Sequence, residues 1–271
     1  MSQHGESSSM RRPEAPGPET VLGKTMKVLL AFSVESTMLG FAELRARTEL
    51  PKATLHRLLA DLVGARLLER VDGKYRLSRL VFELGMRASV ERTLLEVAMP
   101  FLEDLSERTQ ETVHLGVLEG DEVVYVAKLG GHRQASAPSS IGGRMPLHAT
   151  AIGKALLAGA GDEVIDRVLA GRLRRCSART IVNRSVLRGQ LQDILERGIS
   201  FEYEESAPGI VCVAAPIHDQ DGRAIAGVSV TGRKGRFQPA RHAQAVRSAG
   251  AGIGATLVRR ANLSGGSGHR N

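Results

Sequence analysis

LPKATLHRLLADLVGARLLERVDGKYRLS, residues 50–78, carries two periodicities back to back. From Lys52 to Gly64 the apolar residues recur at helical spacing, with Leu55, Leu58, Leu59 and Leu62 forming one stripe. Pro51 suits the first turn, where its missing N–H would be unpaired anyway, and Gly64 is expected to help end the helix. From Leu67 the period drops to two in a pair of short runs joined by Asp72-Gly73. Both of these residues tolerate positive φ, which predicts a hairpin. The buried stripe leaves Lys52, Ala53, Thr54, His56 and Arg57 on the leading, exposed turns.

Upstream, Leu22, Met26, Leu29 and Leu30 fall at i, i+4, i+7 and i+8 and predict one buried helical face starting near Val21. A shorter helix is expected over 41–47 with Phe41 and Leu44 inward. Three helices and a hairpin result. The DNA major groove admits one helix, and a helix-turn-helix touches base edges with the first residues of its second helix. Lys52 and Arg57 suit phosphates or guanine acceptors, and Thr54 suits a phosphate or a thymine methyl. Lys74 and Arg76 would lay the hairpin along the flanking backbone or minor groove as a wing, while Tyr75 reads as a core cap. Between residues 20 and 90 there are twelve Lys/Arg against seven Asp/Glu, so much of the chain's net charge of +8 lies there. A second basic run, 167–188, holds seven arginines and reads as a solvated surface loop.

Downstream, a helix is expected over 79–92, with Leu80, Val81, Leu84 and Ala88 on one side. That stripe is too thin to stand alone and requires a partner. Beyond Leu94 helices and strands alternate: strand pairs around Gly120-Asp121 and Asp221-Gly222, a strand over 199–204, and helices over 96–109, 150–158, 162–169, 185–197 and 239–260. The fold class is α+β with a largely antiparallel sheet. The expected domains are a tail over 1–19, a winged helix-turn-helix over 20–78, a helix over 79–93, a sheet domain over 94–263 and a tail over 264–271.

The chain has 271 residues and two cysteines, Cys176 and Cys212, without companions at metal-ligand spacing. This argues against a disulfide framework or a metal site, and no cofactor is expected. No apolar run approaches membrane-spanning length and the N-terminus lacks a secretory apolar stretch, so a cytoplasmic location is expected.

The segment from about Val21 to Arg260 resembles the IclR-type bacterial transcriptional regulators. Residues 50–78 look like the family's recognition helix and wing, with Ala53 where a serine is usual and Glu49 where the turn usually has glycine. GGRMPLHATAIGKALLA, 142–158, and EESAPGIVCVAAPIHDQDGRAIAGVSVTG, 204–232, are similar to the two signatures around the family's effector pocket. The resemblance implies that the 79–93 segment is a linker and dimerisation helix, with dimer contacts through Leu80, Leu84 and Ala88, and that residues 94–263 form a GAF-like effector domain. Carried over residue by residue, it implies a pocket lined by Met145, Ala151, Ile152, Glu202, Ile210, Cys212, Ser229 and Thr231.

Backbone N–H groups near Thr150 to Gly153, with the hydroxyls of Ser229 and Thr231, would suit a small organic carboxylate. An ionised Glu202 would repel it, so that residue would accept a hydroxyl proton, be neutral or turn away. The family implies a regulator, more often a repressor, that binds palindromic operator DNA as a homodimer or homotetramer. Two other classes were open on the residues alone. One is an enzyme using His148 and Cys212, for which no activating partner or oxyanion site is visible. The other is a protein-binding domain without DNA binding, against which the retained cations speak.

Overall fold

The computed structural model of the chain describes residues 17, 19–33, 36–85, 87, 89–130 and 137–265. The chain divides into two units, with the boundary between residues 87 and 88. The expected tails over 1–19 and 264–271 fall largely outside the described residues, as does Ala88.

The first unit contains α1 (Val21–Leu29), α2 (Phe41–Thr48), α3 (Lys52–Gly64), the hairpin β1 (Leu68–Val71) and β2 (Lys74–Leu77), and α4 (Arg79–Gly85). The four leucines of the α3 stripe are buried. They pack with Val28, Leu39, Leu44, Leu50, Leu68 and Tyr75 into one core. The hairpin turns through Asp72 and Gly73, both at positive φ, with Val71 opposite Lys74. Leu39 adds a bridge to Tyr75 through two backbone hydrogen bonds of 2.9 and 2.8 Å.

Three expectations need correction here. The face of α1 read as buried is largely exposed: Leu22, Met26 and Leu30 face solvent, Leu30 at 73%, Leu29 is half-buried, and Val28 anchors the helix. The periodicity marks a second apolar face that the described residues do not cover. Pro51 precedes the helix as its N-cap, where its carbonyl accepts the Leu55 N–H at 2.9 Å. The left-handed residue that ends α3 is Arg66, not Gly64. Leu67 N–H reaches back to Leu62 C=O and Arg66 N–H to Val63 C=O, a pair of bonds that satisfies the last carbonyls.

The expected helix over 79–92 is assigned as α4, ending at Gly85, and α5, which begins at Ser89. Arg87 N–H bonds Leu84 C=O in a tighter turn.

The second unit contains α5 (Ser89–Thr109), β3 (Thr112–Glu119), β4 (Glu122–Leu129), β5 (Arg144–Pro146), a 3-10 turn (Leu147–Ala149), α6 (Ala151–Ala158), α7 (Asp162–Ala170), α8 (Arg184–Arg197), β6 (Ser200–Tyr203), β7 (Ile210–His218), β8 (Ala224–Arg233) and α9 (Pro239–Gly265). The strands form one sheet in the order β5-β4-β3-β8-β7-β6, every pair antiparallel. β5 was not expected from the sequence.

One sheet face is apolar throughout. Val113, Leu115, Val211, Val213, Ala215, Ile217, Ala226, Val228 and Val230 pack beneath α5 and α9. The other face lies under α6, whose Ile152 seats on Gly116 and Gly227, paired neighbours in β3 and β8. A Cβ at Gly116 or Gly227 would lie 3.2 or 3.0 Å from Ile152 Cγ2, so the glycines set how close α6 can lie. No helix among the described residues is long and apolar enough to cross a membrane.

The turn between α2 and α3 bears on stability. Glu49 occupies the left-handed region at φ 57° and ψ 19°, with its N–H on Arg45 C=O at 2.9 Å. An L-residue there costs about 1–2 kcal/mol, and glycine's larger unfolded-state entropy returns part of that difference. Glu49→Gly is expected to stabilise the first unit by about 0.5–1 kcal/mol, read as a higher denaturant midpoint at unchanged slope; a lower midpoint contradicts the strain.

Candidate functional site

The first unit presents the leading turns of α3 as the sequence implies. Lys52, Ala53, His56 and Arg57 are exposed and Thr54 is half-buried. Among the described residues no carboxylate pairs with Lys52 or Arg57. His56 stacks on the Phe41 ring at 4.1 Å, so its imidazole is held by α2 rather than free to reach outward. In the hairpin Lys74 is exposed, with no ion pair among the described residues. Arg76 instead donates from Nε and Nη2 to one Glu69 oxygen at 2.9 and 2.7 Å, which leaves fewer of its donors for phosphate. Tyr75 is buried and carries the Arg70 guanidinium 5.9 Å above its ring centroid.

In the second unit the side chains on the α6 face of the sheet alternate with the apolar set beneath. Register places Glu202, Cys212, Thr231 and Thr112 in one row across β6, β7, β8 and β3. The next row holds Ser200, Ala214, Ser229, His114 and Lys128. Between β3 and β4 the register shifts at Leu115/Gly116, leaving Val126 without a partner. This bulge turns Tyr125 toward α6 although Ala127 faces the opposite core.

From these rows Glu202, Cys212, Thr231, Ser229 and His114 line a narrow cavity of about 20 Å³, room for about one water-sized group. All eight residues carried over from the family resemblance line it: Met145, Ala151, Ile152, Glu202, Ile210, Cys212, Ser229 and Thr231. So do Thr150, at the helix start expected to hold a carboxylate, and His114, Tyr125, Ser139 and Ser206, which sequence reasoning missed. His114 had a visible signal, since Thr112-Val113-His114-Leu115 repeats the polar-apolar alternation of Ser229-Val230-Thr231. Two wider grooves, about 710 and 850 Å³, run along α9. Their walls are mainly small or apolar with charges at the rim, and they lack the converging polar set of the smaller cavity.

The cavity's polar groups are mutually bonded. His114 Nε2 lies 2.7 Å from Ser139 Oγ, and Thr231 Oγ1 lies 3.0 Å from Cys212 Sγ and 3.4 Å from His114 Nδ1. Glu202 Oε1 accepts from the N–H groups of Glu205 and Ser206, both at 2.9 Å, and from Ser206 Oγ at 3.0 Å. Thr150 caps α6 by accepting the Gly153 N–H at 3.0 Å. The Ala151 and Ile152 N–H groups precede the first intrahelical bond, Lys154 to Thr150 C=O, and so have no acceptor within the helix. Of the donors expected between Thr150 and Gly153, these two remain for a ligand.

Burial governs the titration of this site. It pushes His114 down to about 3, with Lys128 adding to the effect. It pushes the Cys212 thiol up to about 12, helped by the Glu202 charge, so Cys212 is a neutral thiol rather than a nucleophile. It raises Glu202 to about 7 against the lowering effect of the Ser206 hydrogen bonds. His148, the other residue weighed for chemistry, makes a structural bond from Nε2 to Arg174 C=O at 2.9 Å. Among the described residues no His, Cys, Asp and Glu cluster suits a metal ion.

Residues 86–253 match the family described as bacterial transcriptional regulator IclR C-terminal, and residues 21–72 match the IclR helix-turn-helix domain. The HTH-type transcriptional regulator XynR of Escherichia coli (strain K12) is 34% identical over 211 residues, covering 77% of this chain and 84% of that protein. KdgR of the same organism is 35% identical over 210 residues, with 76% and 80% covered. An IclR homolog from Microbacterium hydrocarbonoxydans, solved in complex with 4-hydroxybenzoate, aligns with a TM-score of 0.81 at 31% identity. It covers 89% of this chain and 100% of its own.

His114 sets a pH-dependent stability. Its unfolded value is 6.5 and its folded value about 3, so its contribution is complete above pH 6.5 and is lost as pH falls toward 3. Glu202, raised instead, works in the opposite sense and cancels when two proteins that both contain it are compared. The stability gap between wild type and His114→Gln is therefore expected to shrink by about 2 kcal/mol from pH 7 to pH 5. Urea unfolding followed by tyrosine fluorescence measures it, since Tyr125 and Tyr203 lie in this unit; a gap independent of pH contradicts the assignment.

Proposed function

Because the chain belongs to the IclR family of bacterial transcriptional regulators, we propose that it is a repressor working in the cytoplasm, switched by a small organic carboxylate. It is a DNA-binding regulator with a C-terminal ligand-binding domain, not an enzyme. Two motifs more than forty residues apart, 142–158 and 204–232, contribute to one polar cavity inside an otherwise apolar domain. That convergence carries the reading, because a polar-lined cavity in a packed core costs stability unless a ligand uses it.

In this reading the carboxylate lies against the Ala151 and Ile152 N–H groups, where the helix terminus favours negative charge. Ser229, Thr231 and Glu202 face the rest of the ligand, and Met145, Ile210 and Cys212 wall it in. The 20 Å³ cavity admits such a molecule only when its walls move apart, so ligand and domain conformation are coupled. A ligand that favours one arrangement by about 1.4 kcal/mol changes operator affinity tenfold. The 4-hydroxybenzoate bound by the Microbacterium relative makes aromatic hydroxy acids the first candidates to try.

On the DNA side, Lys52, Ala53, Thr54 and Arg57 enter the major groove, His56 braces the helix, and Lys74 and Arg76 face backbone phosphate. Dimerisation is supported by apolar surface in the first unit that no described residue covers. Val21, Leu22, Met26 and Leu30 on α1 are exposed, as are Phe82, at 66%, and Leu84 on α4. A second copy covering these faces would hold two reading heads at fixed spacing on a palindromic operator, as dimer or tetramer.

Operator duplexes selected from a random pool test the reading. Arg57→Ala and Thr54→Ala are expected to weaken binding, Arg57→Ala by about 10- to 100-fold, while leaving a ligand's thermal shift intact. Ser229→Leu is expected to abolish the ligand response and leave DNA affinity unchanged. Equal operator affinity in wild type and both α3 variants contradicts the assignment of α3. A separate test of assembly is Leu22→Glu, expected to shift sedimentation toward monomer; an unchanged profile contradicts the α1 interface.

A further inference from the structure

We infer that Glu202 meets an anionic ligand as a neutral carboxylic acid, because the one ammonium buried beside it among the described residues is committed to Glu205 and Gln190, so carboxylate binding takes up a proton. The inference rests on the reading of this cavity as the effector pocket and adds the protonation state in which it works. The balance is simple: an ionised Glu202, a proton and a ligand carboxylate become a Glu202 carboxylic acid whose O–H donates to the ligand's oxygen.

The argument starts at Lys154, on α6 one turn beyond the cavity and only 1% exposed. Its Nζ donates to Glu205 Oε1 at 2.7 Å, Glu205 Oε2 at 2.8 Å and Gln190 Oε1 at 3.2 Å. An ammonium has three donors, and these three acceptors use them all. Glu202, 2% exposed, thus shares a buried cluster of two carboxylates and one ammonium, which is electrically neutral only with one proton added. Its Oε1 is occupied by Glu205 and Ser206. Its Oε2 accepts no hydrogen bond among the described residues, and the residue lines the cavity.

Among the described residues, the groups facing Glu202 from neighbouring elements supply no other charge, and Lys128, in the far row on β4, donates its Nζ to Ser139 C=O. Cys212 on β7 and Tyr125 on β4 are pushed upward by burial and stay protonated. His114 on β3 and His148 before α6 are pushed downward by burial and stay neutral. Glu204, next but one in sequence, pairs outward with Lys234 and Arg179. With a second negative charge entering the cavity, protonating Glu202 removes the repulsion and supplies a donor at once.

The test uses the full chain with 4-hydroxybenzoate as probe and the neutral 4-hydroxybenzamide as control. Calorimetry in buffers of different ionisation enthalpy counts the protons. The inference expects uptake approaching one proton per probe bound at pH 8, with affinity falling up to tenfold per pH unit above about 7; the amide should show neither. Glu202→Gln should bind the acid with a flat pH profile, because its amide N–H replaces the O–H. Glu205→Gln should also flatten the profile, since it frees Lys154 to neutralise Glu202, a result that a merely structural role for the pair would not give.

Binding without proton uptake, at equal affinity from pH 6 to 8, overturns the inference. The infrared carboxylic-acid C=O band missing from Glu202→Gln reports on the same residue without any ligand. Its presence at pH 6 supports a neutral Glu202 and its absence overturns the inference. If the band is present but carboxylates give no thermal shift, the effector reading fails and the protonation of Glu202 stands.

Discussion

The strict alternation of side chains on β3, β7 and β8 governs the second unit. An antiparallel sheet commonly keeps one solvated face and one packed face. Here both faces are covered, and the second retains hydroxyls, a thiol, an imidazole and a carboxylate. Because successive side chains point to opposite faces, Val113, Val213 and Val230 can fill the core under α5 and α9 without displacing any polar neighbour. A one-residue register slip would exchange the two sets and bury the polar row in the apolar layer. The fold and the site are therefore fixed by the same constraint, and the Gly116–Gly227 pair adds the close seat that brings α6 down as a lid.

The first unit obeys a different economy of contacts. Its helices share a small core around Leu39, Leu44, Leu55 and Leu59, and its remaining apolar surface on α1 and α4 has no cover among the described residues. Small domains bury a lower fraction of their surface and are correspondingly marginal. Covering these faces with another copy would add stability and spacing control together. Glu49 in the left-handed turn shows that the bend between α2 and α3 does not require glycine. The Arg45 C=O bond and the neighbouring burial of Thr48 and Leu50 hold it in place.

Much of this was legible in the residues. The α3 stripe, the Asp72-Gly73 hairpin and the strand pairs around Gly120-Asp121 and Asp221-Gly222 are local signals, and each appears at its expected place. Family resemblance gave eight cavity residues that spacing alone could not join, since Met145 and Thr231 are brought together only by the sheet. What stayed hidden depends on nonlocal packing. The α1 stripe looked buried because periodicity records that a face is apolar, not which partner covers it. Tyr125 lay out of reach because a bulge at Val126 reverses the alternation of β4. No local signal marks Lys154 as buried, because its partner Glu205 lies fifty-one residues away and both are interior.

The central claim is that ligand enters between α6 and the polar rows of the sheet. Hydrogen–deuterium exchange of the full chain with a melting-point-raising acid tests it most directly. The account predicts new protection at the start of α6 and in the 202–210 segment, where Glu202 and Ser206 meet the cavity. Protection confined to α9 and the β7–β8 turn, with those segments unchanged, would contradict it and move the site to the outer grooves.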